Sequence, residues 1–297
     1  MPSTTLYDWI FTRFLPQNLK CRSPKTHAQY GFAVKHFGEF LGRKATLSDL
    51  NDESLSGFIG YLLGVRGQAE ITANEEAGRI KTFWTWAAKK RVVDVFPTVA
   101  RVPVPERLPR AWSPGELSRL FASCRQQQGS VAGIPAWRWW FTLHAWLWCS
   151  AERIEATLML RVDHLRLDDA IAAVPACIRK GRRKAAVYSL WPDLVAMLRE
   201  MLPPHGPERE LVFPWPWDQV TFYNHYRRLL IRAGLPTDRD CKPHRMRVSH
   251  ATHRHLAGGD ATLALGHANP ATTRKSYLDL TLIKAMDKEP PLFRPWD

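Results

Sequence analysis

The sequence predicts a mainly α-helical chain with a small β-sheet, divided into two domains. Three observations carry that expectation. Apolar residues recur at helical spacing through the first part of the chain. Prolines crowd one stretch, at Pro97, Pro103, Pro105, Pro109 and Pro114. Beyond it, two short strand-like runs flank a basic turn. A length of 297 residues fits two domains at roughly 100–200 residues each.

The elements follow in order. Tyr30, Val34, Phe37, Phe40 and Leu41 form one apolar helical face, and Leu55, Phe58, Ile59 and Leu62 a second. Ala77, Ile80, Phe83, Trp84 and Ala87 mark a further helix over 73–91. Ser23-Pro24, Ser48 and Asn51 are candidate helix starts. Four helices are expected in a first domain over 1–100. Dense proline cannot continue a helix, so 101–112, with Arg101, Arg107 and Arg110, reads as an extended, positively charged linker. Ser113-Pro114-Gly115-Glu116 then opens a second domain over 113–297 as a capping box with proline at the first helical position. Residues 137–148 form a very apolar helix holding Trp137, Trp139, Trp140, Trp146 and Trp148, which reads as core. Residues 170–177 and 185–190 read as strands, 194–201 and 222–233 as helices, and helix resumes after Lys242-Pro243.

Composition narrows the function. Hydrophobic residues make up 45% and charged residues 24%, which excludes a mainly disordered chain. No run approaches the ~20 apolar residues of a membrane span, and the first residues lack the pattern of a signal peptide. Cys21, Cys124, Cys149, Cys177 and Cys241 are scattered, as expected of free thiols in a cytoplasmic chain. The net charge of +14 points to a polyanion partner. Residues 1–110 carry 16 basic and 10 acidic side chains and residues 111–297 carry 26 and 18, so both halves are positive. The densest clusters are Arg179, Lys180, Arg182, Arg183 and Lys184 at the turn between the two strands, and Lys89, Lys90 and Arg91.

Four separated pieces carry chemistry. Arg153, in Ser150-Ala151-Glu152-Arg153-Ile154, follows the apolar helix, where a buried cation needs an anionic partner. Lys180 and Lys184 at the basic turn are candidate proton donors. His244 and Arg247 lie three apart on one helical face beside a helix start that suits phosphate. Leu265-Gly266-His267 is followed ten residues later by Tyr277.

The order Arg, Lys, HxxR, GH, Tyr resembles the tyrosine recombinases, or phage-type integrases. The phrases SAERIEATLMLRVDHL, IRKGRRKAAVYSL, KPHRMRVSHATH and LGHANPATTRKSY carry the resemblance, which covers nearly the whole chain. It implies an N-terminal helical core-binding (SAM-like) domain and a C-terminal mixed α/β catalytic domain of the DNA breaking-rejoining type. It implies site-specific recombination of double-stranded DNA through a 3′-phosphotyrosine, without metal, ATP or other cofactor. Tyr277 would be the nucleophile. Arg153 and Arg247 would hold the scissile phosphate, His244 would assist as base, Lys180 would protonate the leaving 5′-oxygen, and His267 would support the phosphate. Lys89, Lys90, Arg91, Arg179, Arg182, Arg183 and Lys184 would contact DNA. A homotetramer on paired sites is expected, with a tail over 278–297 reaching a neighbouring subunit.

The chain departs from that family at three places. Ala151-Glu152 stand where the family carries glycine and a hydrophobic residue, so Glu152 is a candidate competitor for the Arg153 guanidinium. Ala156 stands where the family carries a glutamate. The 23 residues from His244 to His267 are fewer than the family usually has. Three other readings are a catalytically silent DNA-binding relative, an RNA-binding or other polyanion-binding protein and, for His250, His253 and His255, a metal site.

Overall fold

A computed structural model describes residues 4–18, 23–181, 184–202 and 210–286. The chain divides into two compact units, Met1–Glu106 and Arg107–Asp297.

The described residues of the first unit are helical or extended. Helix α1 (Leu6–Trp9) starts in a Thr5–Asp8 capping box, widens into a π-helical turn over Ile10–Phe14, and returns as α2 (Leu15–Gln17). Helix α3 (Pro24–Leu41) begins with proline in its first turn and ends where Gly42 takes φ +66°, a conformation glycine adopts without Cβ strain. The Asn51 side chain caps α4 (Asp52–Gly64) by accepting the Ser54 N–H at 2.8 Å, whereas Ser48 falls in a 3-10 turn, Leu47–Asp49. Helix α5 (Glu70–Lys89) packs against α3 and α4, with Phe14, Phe37, Phe58, Phe83 and Trp84 fully buried.

The proline-rich extension does not begin as free chain. The Thr98 N–H donates to Asp52 Oδ1 at 3.0 Å, and Trp84 Nε1 donates to the Val95 carbonyl at 2.6 Å. Asn74 pairs with Val102 in both directions, at 2.8 and 2.9 Å. Backbone through residue 102 is therefore strapped to α4 and α5.

The second unit opens with α6 (Pro114–Arg125), whose Ser113–Glu116 capping box forms as expected. A two-residue hairpin, β1 (Ser130–Val131) and β2 (Ile134–Pro135), leads into α7 (Ala136–Ser150) and short α8 (Ile154–Leu158). A three-stranded antiparallel sheet follows in the order β3 (Leu165–Arg166), β4 (Ile171–Val174), β5 (Ala186–Ser189). Its β4–β5 register pairs Ile171 with Ser189 and Val174 with Ala186. The expected strand over 170–177 is shorter because Pro175 diverts the backbone into a 3-10 turn, Ala176–Ile178. The remaining elements are α9 (Pro192–Met201), α10 (Gln219–Arg232), α11 (His244–Leu256), α12 (Ala261–Leu265), α13 (Pro270–Tyr277) and α14 (Leu280–Met286).

Helix α7 is the hub of this unit. Trp139, Trp140 and Trp146 are fully buried, and α6, α9 and α11 pack around it. A smaller core gathers Ala111, Ala151, Val248, Ala251, Ala261, Leu265, Tyr277 and Leu278. Backbone at Ala111 and Trp112 is fastened there. The Ala111 N–H donates to Asp279 Oδ2 at 2.8 Å, the Trp112 N–H to Ser249 Oγ at 2.7 Å, and a His253 Nε2–H to the Trp112 carbonyl at 2.8 Å.

Candidate active site

Arg153 is placed by the end of α7. Ala151 takes a left-handed φ of +50°, which costs an L-residue roughly 1–2 kcal/mol. The turn reverses the chain so that Arg153 stands at the N-cap of α8. Glu152 is buried, yet it does not compete for the Arg153 guanidinium as its position suggested. Its Oε2 accepts Arg179 Nε and the Tyr188 hydroxyl, each at 2.7 Å, and its Oε1 accepts the backbone N–H of Arg153 at 2.8 Å. Burial and then the Glu152 charge raise the Tyr188 pKa, keeping the phenol a donor.

Arg247 lies on α11 and is only 1% exposed. Nη1 donates to the Ala151 carbonyl at 2.5 Å and Nη2 to the Leu265 carbonyl at 2.8 Å. Gly266, at φ +65°, ends α12 and frees that Leu265 carbonyl. It also turns His267 so that Nε2 accepts Arg247 Nη2 at 3.3 Å. A guanidinium only donates, so the other ring nitrogen, Nδ1–H, donates to Thr273 Oγ1 at 3.0 Å. Burial, then the charges of Arg247 and Arg153, lower the His267 pKa. Arg247 itself is held below its ordinary value by burial and then by Arg153. Its Nε–H is buried without a partner among the described residues.

Tyr277 closes α13 and is 8% exposed. Its ring centroid lies 4.7 Å from that of His267 and 5.4 Å from that of His244, and Arg247 Cζ is 5.4 Å from the same ring. The Tyr277 carbonyl accepts Thr252 Oγ1 from α11 at 3.2 Å. His244, in the first turn of α11, keeps an open edge but sits among protein atoms and cations. That burial, followed by the charges of Arg247, Arg153, Lys180 and His267, pushes its pKa down to about 4. The imidazole is therefore neutral at pH 7 and able to accept a proton or hydrogen bond.

Contacts bring His244, Arg247, His267 and Tyr277 together, and the charges of Arg153 and Lys180 act on His244. Lys180 and Lys184 are both exposed, and the Lys180 charge is among those that act most on His244. Arg179 departs from its expected place on a DNA-contacting surface. Its side chain is 10% exposed and committed to Glu152, Tyr188 and the Lys184 carbonyl. Arg182 and Arg183 lie outside the described residues. Lys89, Lys90 and Arg91 are exposed at the C-terminal end of α5, in the first unit. His250 Nδ1 and His253 Nε2 bond to separate backbone carbonyls, Trp148 and Trp112. No group of three or more metal-ligating side chains stands together among the described residues.

A model of the phage integrase family matches residues 118–282. The chain belongs to the phage integrase family. The family's SAM-like domain matches residues 5–100. Tyrosine recombinases are among the solved structures that resemble the chain. One is the Tn1549 transposon integrase in complex with circular intermediate DNA, 11% identical, with a TM-score of 0.71 over 96% of this chain and 100% of that chain. A lambda integrase dimer bound to a COC′ core site is 13% identical, with a TM-score of 0.67 over 98% and 81%. The XerH site-specific recombinase bound to palindromic difH substrate is 19% identical, with a TM-score of 0.66 over 87% and 78%. No curated protein matches the chain at a significant level.

Several residues that build the candidate site gave no signal in the sequence. Thr273 orients His267, and Thr252 holds the Tyr277 backbone. Asp279 accepts the Ala111 N–H, and its own N–H donates to Thr252 Oγ1 at 3.0 Å. All are common polar residues, and the partners of Thr252 and Asp279 lie far away in sequence. Of the tail expected to reach a neighbour, Leu278 is buried in its own unit and Leu282 and Ile283 are partly buried there, while 287–297 lie outside the described residues. Among the described residues no helix is long and apolar enough to cross a membrane.

Proposed function

We propose that the chain is a site-specific recombinase that cuts and rejoins double-stranded DNA through a covalent 3′-phosphotyrosine on Tyr277. The observation that carries this reading is a cluster of cations, including a buried arginine with one unpartnered N–H, arranged around a tyrosine. Such a cluster is repulsive alone and favourable around an anion. A free phenol has a pKa near ~10 and is a weak nucleophile at neutral pH. Neutral His244 takes its proton as Tyr277 Oη attacks phosphorus. The P–O5′ bond breaks, and Lys180 supplies the proton that the departing 5′-oxygen needs. Arg153 and Arg247 stabilise the charge growing on the non-bridging oxygens, with His267 in support. Losing one such donor typically costs ~10²–10³ in rate. A 5′-hydroxyl from another strand reverses the attack, so the bond is conserved. Lys180 is preferred to Lys184 because its charge reaches His244. Assembly on paired sites as a homotetramer belongs to the same reading.

The test works on DNA of undefined sequence. Sheared genomic DNA is incubated with the full chain, denatured, and screened for fragments retained covalently on protein. Sequencing those fragments defines the site. The parent chain is expected to retain DNA and Tyr277→Phe to retain none. Equal retention by both overturns the assignment of Tyr277. Binding without retention identifies a catalytically silent relative.

A further inference from the structure

We propose that Glu152, Arg179 and Tyr188 form a clamp that positions Lys180 beside the reacting phosphate. The inference rests on the reading of Lys180 as the proton donor and goes beyond it by naming what holds that donor in place.

A lysine at an exposed turn has four rotatable side-chain bonds and a mobile backbone beneath them. Here the backbone is pinned on both arms of the turn. Arg179 precedes Lys180, and its guanidinium is spent entirely inside the unit. Nε donates to Glu152 Oε2 at 2.7 Å, Nη1 to the Lys184 carbonyl at 3.1 Å, and Nη2 to the Tyr188 hydroxyl at 3.4 Å. One planar group therefore ties residue 179 to residue 184 and to β5. The Glu152 side chain is 1% exposed. Its second oxygen accepts the Arg153 N–H at 2.8 Å. The same carboxylate thus sets the register of the turn against the arginine that reads the phosphate.

Charge supports the arrangement. Lys180 must approach Arg153, Arg247 and His244, a cluster that repels it. Arg179 adds no further repulsion, because its charge is paired with Glu152 in a dry site. Ala156 occupies the position of a glutamate in the family, and Glu152 returns a buried carboxylate to this neighbourhood from a different position. Glu152, Arg179 and Tyr188 touch no reacting atom, so they are positioning residues.

The test separates positioning from simple folding. Two variants are made in the full chain. Arg179→Lys keeps a cation for Glu152 but loses the planar fork. Glu152→Gln with Arg179→Gln removes both charges, so none is left buried alone. Thermal unfolding establishes which variants are folded. Covalent adduct formation is then timed on the duplex defined by the retention assay, with oxygen or sulfur at the bridging 5′ position. A thiolate leaves without a proton, since a thiol pKa is near ~8.5. On oxygen, both variants are expected to slow by roughly 10–100-fold, a share of the ~10²–10⁴ a placed acid contributes. On sulfur, they and Lys180→Ala are expected to recover to the parent's rate. Equal slowing of the Arg179 variants on both substrates, with Lys180→Ala recovered, overturns the clamp. If Lys180→Ala itself stays slow on sulfur, it is the reading of Lys180 that fails.

A second readout needs no DNA. The charges that act most on His244 are those of Arg247, Arg153, Lys180 and His267, and the Tyr277 ring packs beside it at 5.4 Å. In an NMR titration of the free protein, Lys180→Ala is expected to raise the His244 pKa. Arg179→Lys is expected to raise it too, and the two together no further than Lys180→Ala alone. An unchanged His244 titration in Arg179→Lys overturns the clamp even if no adduct ever forms.

Discussion

Ala151 carries the cost of the turn that builds the site. It adopts φ +50° while its carbonyl accepts Arg247 Nη1, so the strained residue and the buried arginine are joined directly. Replacing it with glycine keeps the carbonyl and removes the Cβ clash, although the unfolded chain gains freedom. Ala151→Gly is expected to keep stability within about 1 kcal/mol of the parent, because relief of the left-handed strain is offset by that freedom and by loss of a buried methyl, read as a nearly unchanged midpoint in urea unfolding. Histidines make a second prediction. Burial pushes the core residue His144 down to about 4, and His244 is held at about 4 as well. Burial also lowers His250 and His267. An unfolded histidine titrates near ~6.5, so below that pH the unfolded chain binds more protons than the folded one. Stability is therefore full above about pH 6.5 and declines as pH falls toward about 4. His144→Leu is expected to flatten that decline in urea titrations at stepped pH. At this scale the sequence was most legible where chemistry demands a rare side chain at a fixed spacing: His244 with Arg247, and Gly266-His267 before Tyr277. It was opaque where a common side chain meets a distant partner. Glu152 finds Arg179 and Tyr188 27 and 36 positions away, and nothing in its own neighbourhood could reveal them.

Helices were legible because their apolar faces repeat, and α3, α4, α5, α7 and α10 stand where that repeat placed them. Short elements were not. The strands β1, β2 and β3 have two residues each, too few to show an alternation. The proline-rich segment was legible as extended backbone, but not its attachment through Asn74, whose amide replaces a strand partner for Val102. Asn74→Ala removes two hydrogen bonds worth about 1 kcal/mol each. Limited proteolysis is expected to cut the variant within 97–102 faster than the parent, with the cut sites read by mass spectrometry. The exposed run Lys89, Lys90 and Arg91 caps α5 at its negative end, a placement that stabilises the helix by itself. Replacing all three with alanine therefore tests two roles at once, and only the salt dependence of binding separates them.

For the whole molecule, a charge of +14 spread over both units is expected to make affinity for DNA fall steeply with salt. Each neutralised phosphate contributes a slope of about −0.9 in log K against log salt. Removing Lys89, Lys90 and Arg91 is expected to reduce that slope by about 2 to 3 if each contacts a phosphate, as measured by fluorescence anisotropy in stepped potassium chloride. An unchanged slope assigns the run to the helix end alone.

The fastening of Ala111 and Trp112 gives the chain a mechanical property. Ala111 and Asp279 are 168 positions apart in sequence yet joined by one hydrogen bond, and Asp279 lies two residues beyond Tyr277. Trp112 is moored to Ser249 and His253 on the helix that carries Arg247. The segment entering the second unit is thus anchored both just beyond Tyr277 and on the helix that carries Arg247. A displacement of that segment is expected to be felt at α11 and beside Tyr277 together instead of being absorbed as slack in a loop.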